Sequence, residues 1–284
     1  MAICFEFPVF DCSAMKEFGF SILLLFEGSF FMEAYTGFAK VYDDFMDNVN
    51  YERWTSYLVE RMKEFGIKEG ILLDLGCGTG KMTRRLSEYG FDMIGIDNSF
   101  EMLDIARESS GDDQSILYLL QDMREFELYG TVCAVTANCD SLNYILEYED
   151  LVHVFRLVNN YLDPKGIFIF DVNTEYKYRE ILSDSTIAED REEISFIWDN
   201  YYYEDEKMNE YDLKLFVKEE NGLYRKLQET HYQRAYTVEE IRNAIKEAGM
   251  EFIAIYDAFT KEEPKKDSQR LHFIVREKGK NIDL

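Results

Sequence analysis

Short hydrophobic runs alternate with stretches of helical periodicity between Tyr35 and Val172. The hydrophobic runs have the length of buried strands, and they fall at Ile71–Leu75, Met93–Asp97, Ile116–Leu120, Val132–Ala137 and Ile167–Val172. The periodic stretches predict a helix that begins near Tyr35 and further helices at Tyr51–Phe65, Lys81–Tyr89, Phe100–Glu108 and Asp150–Leu162. This alternation predicts an α/β fold, in which a parallel sheet carries helices on both faces.

The pattern changes between Ile194 and Tyr236, where Tyr and Phe are frequent and no helical period is present. Three segments of this region have the composition of strands, and Asn221-Gly222 between the last two is a strong signal for a β-hairpin. We therefore expect an antiparallel β insertion in residues 186–236, between a first domain part at residues 32–185 and the C-terminal residues.

The C-terminal residues 237–284 return to the first pattern. Thr237 and Glu240 form a capping-box sequence at the start of a helix predicted over Val238–Ala248. Two strands are predicted after it, at Phe252–Phe259 and Arg270–Arg276. We expect this helix and these strands to complete the sheet.

The composition of the chain argues against several classes of binding partner. The chain has 284 residues and a formal net charge of −25, which repels nucleic-acid phosphates and anionic lipid. Its five cysteines form no CxxC pair and its three histidines lie far apart, so neither a disulfide framework nor a zinc site is expected. The apolar stretch Phe18–Phe26 is too short to span a bilayer. We expect a cytoplasmic protein, monomeric or homodimeric, without nucleic acid, membrane or metal as a partner.

The stretch ILLDLGCGTGKM, from Ile71 to Met82, places three glycines at every second position after a strand. A glycine-rich turn after the first strand of an α/β unit admits a nucleotide-bearing ligand close to the backbone. The spacing here is GxGxG, not the GxGxxG of dinucleotide sites, and Asp74 precedes it. Because an acid at this turn opposes a pyrophosphate, it favours a ligand with a cationic end, such as an ammonium group.

Two further acids lie at the ends of the next two strands. Asp97 ends the second strand, where a carboxylate can accept hydrogen bonds from the two hydroxyls of a ribose. Asp122 lies just past the third strand, where it can accept from an exocyclic amine such as that of adenine. Ammonium, ribose and adenine together describe S-adenosylmethionine.

Several motifs carry a family resemblance. DLGCGTG, GIDNSFEML, QDMREF and DSLNYI resemble the motifs of class I S-adenosylmethionine-dependent methyltransferases. FAKVYDDFM, YERWTSYL, SFIWDNY and ETHYQRAY are similar to the narrower YqeM-type group of Firmicute bacteria. The resemblance implies a Rossmann-like, mostly parallel sheet of seven strands, the last one antiparallel. Residues 1–31 have no counterpart in it, so we expect them to lie outside the fold, with Met32 as the natural start.

The resemblance also implies a set of cofactor-binding residues. They are Tyr42, Trp54, Asp74, Gly76, Cys77, Gly78, Gly80, Asp97, Asn98, Met102, Asp122, Met123, Asn138 and Cys139. In the family pattern Asp74 and the glycines hold the methionine portion of S-adenosylmethionine, Asp97 holds the ribose and Asp122 the adenine amine. Tyr42 and Trp54 resemble aromatic residues that cover the cofactor, and Asn138 with Cys139 lies under the sulfonium.

The methyl acceptor is the less determined partner. Methyl transfer requires an acceptor held in line with the methyl group, and a general base only if the acceptor arrives protonated. His231 is the candidate base because it lies in the insertion, which can cover the acceptor pocket in this fold. Tyr144, Asn173 and Arg234 are candidate acceptor contacts.

The residues at the end of the fourth strand bear on the class of methyl acceptor. Methyltransferases that act on base amino groups carry prolines at the end of the fourth strand, where this chain has Asn138-Cys139-Asp140-Ser141. That difference and the net charge favour a small-molecule acceptor with a nitrogen or oxygen nucleophile. The alternatives are a protein methyltransferase, a regulator that binds S-adenosylmethionine without turnover and, less favoured by Asp74, a nicotinamide oxidoreductase.

Overall fold

The computed structural model describes residues 42–43, 49–111 and 115–280. Its main sheet has seven strands, β1 (Gly70–Leu75), β2 (Phe91–Asp97), β3 (Ile116–Leu120), β4 (Val132–Ala137), β5 (Leu162–Asn173), β10 (Glu251–Asp257) and β11 (Arg270–Arg276). Their spatial order is β3-β2-β1-β4-β5-β11-β10, and β11 runs antiparallel to both of its neighbours. The prediction of a seven-stranded, mostly parallel sheet is confirmed.

Five α-helices flank this sheet in the described residues: α1 (Tyr51–Glu64), α2 (Lys81–Ser87), α3 (Phe100–Ser110), α4 (Tyr148–Tyr161) and α5 (Val238–Glu247). Local chemistry sets where two of them begin. Asn50 caps α1 by accepting from the Arg53 amide, and Thr237 with Glu240 forms the predicted capping box of α5.

The sheet is covered on both faces. On one face α4 and α5 pack against the strands through a large apolar core that includes Leu73, Val135 and Phe168. On the other face α1 and α2 bury Leu58 and Met62 against the same strands. The central strands are therefore apolar on both sides, as their hydrophobic runs predict.

A second, antiparallel sheet consists of β6 (Thr186–Asp190), β7 (Ile194–Tyr203), β8 (Met208–Lys218) and β9 (Tyr224–Arg234). Its last three strands confirm the predicted ones, and Gly222, with φ 79°, lies in the loop between β8 and β9. The first strand was not predicted. All five residues of β6 are exposed at the edge of the sheet, so no buried face marks the segment in the sequence.

A π-helical turn, Lys177–Leu182, connects β5 to β6 and has no sequence signal that we identified. The expectations for residues 1–31, and most of the helix predicted from Tyr35, lie outside the described residues. No helix in the described part of the chain is long and apolar enough to cross a membrane.

Candidate active site

The glycine loop between β1 and α2 is held to the end of β2. The amides of Gly76 and Cys77 both donate to the Ile96 carbonyl, at 2.8 and 2.9 Å. The amide of Gly78 donates to Oδ2 of Asp97 at 2.8 Å. These three bonds fix the loop at the carboxyl edge of the sheet, with Asp97 beside it.

The three glycines of the loop differ in what an added side chain would meet. A Cβ at Gly80 would collide with the Tyr118 hydroxyl, and one at Gly76 would come within 2.9 Å of Ser141 Cβ. A Cβ at Gly78 would meet nothing within 4 Å, although its φ of 54° also favours glycine. Gly76 and Gly80 are therefore required by packing, and Gly78 leaves open space at the surface of the loop.

A cavity of about 40 Å³ lies against the glycine loop. Its lining residues are Tyr42, Tyr51, Gly76, Cys77, Gly78, Thr79, Lys81, Met82, Asn138 and Cys139. Oδ1 of Asn138 is buried there and has no hydrogen-bond partner among the described residues. An unused acceptor beside an open glycine loop fits a ligand that brings a cationic N–H donor, as the ammonium group of S-adenosylmethionine does.

Asp74 lies behind the loop, not in the cavity lining. Its carboxylate accepts from Thr83 Oγ1 at 2.6 Å, and from Thr136 Oγ1 and Asn138 Nδ2 at 3.2 Å each. Burial raises the pKa of Asp74, and these three hydrogen bonds oppose the shift. Asp74 therefore orients the Asn138 amide, and its direct contact with a ligand stays a prediction.

Asp97 binds backbone amides of the neighbouring loops and can still accept a hydrogen bond from a ligand. Its carboxylate accepts from the amides of Gly78 and Ser99, at 2.8 and 2.9 Å. Burial raises the pKa of Asp97, and backbone N–H groups of Ser99, Gly78 and Asn98 lower it in part. Since a carboxylate offers about four acceptor positions, Asp97 can accept a further hydrogen bond from a ribose hydroxyl.

The residues that are predicted to contact the adenosine part of the cofactor lie after β2 and after β3. Met102 is buried in the first turn of α3, Asn98 is exposed before it, and Met123 packs partly buried against the core. Asp122 is held by Arg124, whose amide and Nε donate to Oδ1 at 2.8 and 3.0 Å. Its contact with an adenine amine stays a prediction and requires the ion pair to share the carboxylate.

Residues from the N-terminal helix reach the loop. Asp43 accepts from Thr79 Oγ1 at 2.9 Å and pairs with Lys81 Nζ at 3.5 Å. Tyr42 lines the cavity, and burial raises its pKa. The contact of Tyr42 with the cofactor stays a prediction, and Asp43 is an attachment that the sequence did not indicate.

Trp54 is placed differently from Tyr42. It is buried on α1 and does not line the cavity. Its ring makes an edge contact with Phe259 at 4.9 Å, and the Arg270 guanidinium lies 5.3 Å from the ring centre. In this arrangement Trp54 supports Arg270, and its contact with the cofactor stays a prediction.

Beyond Cys139 the carboxyl edge carries a buried network of charges. Cys139 and Asp140 both have positive φ, 57° and 55°, a conformation that is uncommon for residues other than glycine. The Arg270 guanidinium pairs with Asp140 at 2.6 Å and with Asp171, while the Asp140 amide donates to Asp171 at 2.9 Å. The charges hold the loop after β4 against β5 and β11.

The antiparallel sheet joins the network through Gln233 of β9. Gln233 Nε2 donates to Asp140 at 2.7 Å, and Oε1 of Gln233 accepts from the hydroxyls of Tyr178 and Tyr211 at 2.8 Å each. Burial raises the pKa of both tyrosines, so they remain donors. The sheet is thereby fixed over the edge that carries Cys139.

His231 lies on β9 near Tyr144. Its Nδ1 is 3.5 Å from the Tyr144 hydroxyl, and its Nε2 is 3.3 Å from a carboxylate oxygen of Glu229. His231 is 5% exposed. Its role as a base stays a prediction, and in this arrangement its ring nitrogens face Tyr144 and Glu229.

The two other predicted acceptor contacts have structural partners. Arg234 donates to the Leu146 carbonyl at 2.8 Å and pairs with Glu240 at 3.4 Å, so it ties β9 to the start of α5. Asn173 is buried at the end of β5 and accepts from Lys177 Nζ at 2.9 Å. Both side chains therefore have partners within the fold, and their contact with an acceptor stays a prediction.

Sequence reasoning missed four residues of this edge. They are Asp140, Lys177, Gln233 and Arg270. Asp140 is adjacent to a predicted site residue and follows a strand end, so its position was a usable signal. The others become neighbours only through the fold, because they come from β11, β9 and the π-helical turn.

Comparison with known proteins identifies the group to which this arrangement is similar. A family model described as a methyltransferase domain matches residues 72–166. The Bacillus subtilis protein YqeM, which is named as a methyltransferase, is 40% identical over 87% of this chain and 98% of its own length. A glycine/sarcosine N-methyltransferase of Halorhodospira halochloris is 27% identical over 55% of this chain and 59% of its own.

A solved structure agrees with these matches. The S-adenosylmethionine-dependent methyltransferase from Clostridium acetobutylicum superimposes with a TM-score of 0.77 at 27% identity, covering 87% of this chain and all of that one. The similarity therefore extends through the cofactor half, the antiparallel sheet and the C-terminal strands.

Proposed function

Since the chain belongs to the YqeM group of class I S-adenosylmethionine-dependent methyltransferases, we propose that its acceptor is a small molecule, methylated directly on a nitrogen or oxygen atom. S-adenosylmethionine is the cofactor, and it supplies an electrophilic methyl group on a sulfonium. The proposal concerns the acceptor, for which the fold alone is no guide.

One observation carries the proposal: the antiparallel sheet is bonded to the segment that directly follows Cys139, a residue that lines the cavity. Past Cys139 the chain is covered by the antiparallel sheet, through the Gln233–Asp140 bond of 2.7 Å and a bond of 2.8 Å from Asn143 Nδ2 to the Arg234 carbonyl. If the acceptor binds between this sheet and the cavity, as we propose, a small molecule fits there more easily than a folded protein. The name of the glycine/sarcosine N-methyltransferase gives further support for a small amine.

The residues of this chain divide into two tasks. In this proposal the glycine loop, Asn138 and Asp97 bind and orient the cofactor. The residues near the antiparallel sheet, among them Tyr144 and Asn173, hold the acceptor and exclude water. Direct transfer needs little more from the protein than this alignment.

A transfer assay tests the proposal. The purified chain is incubated with tritiated S-adenosylmethionine and a panel of small amines, amino acids, amino sugars and hydroxy compounds, and product is measured after separation from the cofactor. A parallel reaction offers denatured and native protein extract.

We expect label in at least one small molecule and none in protein. Label confined to protein would favour the protein methyltransferase alternative. Cofactor binding without label in either fraction would favour the non-catalytic regulator.

A further inference from the structure

Lys177 is the first residue of the π-helical turn that follows the carboxyl end of β5. Asn173, which ends β5, donates its amide to Asn143 Oδ1 at 3.0 Å and accepts from Asn143 Nδ2 at 3.3 Å through its carbonyl. These bonds fasten the end of β5 to the segment that follows Cys139. π-helical turns occur frequently at functional sites.

The partners of Lys177 are unusual for a lysine. Its Nζ donates to Oδ1 of Asn173 at 2.9 Å. Among the described residues no ion pair joins Lys177 to a carboxylate, because the two nearby acids, Asp140 and Asp171, are both bonded to Arg270. The lysine therefore lies next to a guanidinium without a carboxylate of its own.

This environment favours the uncharged amine. Burial lowers the pKa of Lys177, and the positive charge of Arg270 lowers it further, while Asp140 and Asp171 oppose the shift only in part. Desolvation and a neighbouring cation are the means by which proteins convert a lysine into a base at neutral pH.

Resting on the proposed function, we propose that Lys177 is the general base of the reaction and removes a proton from the nucleophilic atom of the acceptor. The acceptor's lone pair forms the new bond to the methyl carbon, and the pair of the broken carbon–sulfur bond stays on sulfur. The acceptor's proton goes to Nζ, which becomes an ammonium group. Because Lys177 is only partly buried, the proton then passes to solvent.

If Lys177 is the base, His231 has a different role from the one that we predicted from the sequence. Its two ring nitrogens face Tyr144 and Glu229, whereas Lys177 Nζ donates to the neutral amide oxygen of Asn173. We assign His231 to positioning Tyr144, and proton removal to Lys177.

The first test needs no acceptor. The full-length protein is labelled briefly with acetic anhydride between pH 6 and pH 11, and the rate at each lysine is read from its peptide by mass spectrometry. Lys214 is the matched control, since Asp199 and Asp212 bind its Nζ at 2.8 and 2.9 Å and raise its pKa. We expect Lys177 to become reactive at a clearly lower pH than Lys214. Reactivity that begins at the same pH or a higher one would overturn the proposal, whether or not an acceptor is known.

The second test uses the acceptor found in the panel. Lys177→Met and Lys177→Arg should each lower kcat/KM about 100-fold, the low end for general acid–base catalysis, and should remove the rise of kcat/KM with pH. Lys214→Met should keep kcat/KM within about twofold, as is usual for surface changes. Affinity for S-adenosylmethionine should stay within about threefold in all three variants. If Lys177→Arg retains activity, Lys177 supplies charge and not a base, and the proposal is wrong.

Discussion

The two halves of the sheet's carboxyl edge are built in different ways. At the cofactor half, backbone amides satisfy a carboxylate, and the Gly78–Asp97 bond joins residues only 19 positions apart. At the acceptor half, side chains satisfy one another, and the Asp140–Arg270 pair joins residues 130 positions apart. The first half is encoded by a continuous motif. The second exists only after β9, β11 and the π-helical turn have come together.

This difference predicts separable functions. Cofactor affinity should depend on the glycine loop and Asp97, and transfer should depend on the residues around Asp140, Lys177 and Tyr144.

Arg270→Met should be the most disruptive change at the acceptor half. It leaves Asp140 and Asp171 without their shared cation, and Asp171 is fully buried. Removing one partner of a buried ion pair typically costs about 3–5 kcal/mol in the free energy of unfolding. Urea unfolding followed by circular dichroism measures the loss.

Arg179→Met is the control for that change, because Arg179 pairs with Glu175 and Glu180 at the surface. It should leave the unfolding free energy nearly unchanged. If both variants unfold at the same urea concentration as the parent protein, the charge network does not hold the acceptor half together.

His272 of β11 should make stability sensitive to acid. It is fully buried among the rings of Tyr57, Phe259 and Trp54, with centroid distances of 4.8, 5.1 and 6.1 Å. Burial and then the charge of Arg270 lower the pKa of His272 to about 3. Below about pH 6.5 His272 is therefore protonated in the unfolded chain but not in the folded chain. Stability from this group is present above pH 6.5 and is lost toward pH 3, by up to about 1.4 kcal/mol per pH unit.

His272→Phe removes that titration and keeps a ring in the cluster. Thermal unfolding at several pH values should show a smaller loss between pH 6 and pH 4 for the variant than for the parent protein. Parallel curves would contradict the assignment, and another group would be responsible for the acid sensitivity.

His231→Gln should have little effect on cofactor binding. His231 lies on β9, away from the glycine loop, so affinity for S-adenosylmethionine should stay within about threefold, or about 0.65 kcal/mol. Transfer should fall by less than in Lys177→Met, and Tyr144→Phe should reproduce the decrease. A loss near 100-fold, with the pH dependence gone, would return the role of base to His231.

The sequence predicted the cofactor half of this edge better than the acceptor half. Alternating hydrophobic runs predicted the sheet because central parallel strands are apolar on both faces, and the glycine loop with Asp97 forms a continuous signature. Strand β6 was missed because an exposed edge strand needs no apolar face. The π-helical turn was missed because its conformation depends on packing.

The acceptor residues show the limit most clearly. Arg234 was a candidate from its place in the insertion, and the sequence did not indicate the partners of its guanidinium, the Leu146 carbonyl and Glu240. Lys177 carried no signal, because its surroundings come from β5, β11 and the loop after β4. Pairings of this kind depend on tertiary structure that one sequence does not display.

Calorimetric titration with S-adenosylmethionine tests the division most directly, in the parent protein, Asp97→Ala and Lys177→Met. Asp97→Ala should weaken binding by about 1.5–3 kcal/mol, typical for a lost hydrogen bond to a charged group. Lys177→Met should bind within about threefold of the parent protein, and NAD should not bind comparably to any of them. Full affinity in Asp97→Ala, or its loss in Lys177→Met, would contradict the account.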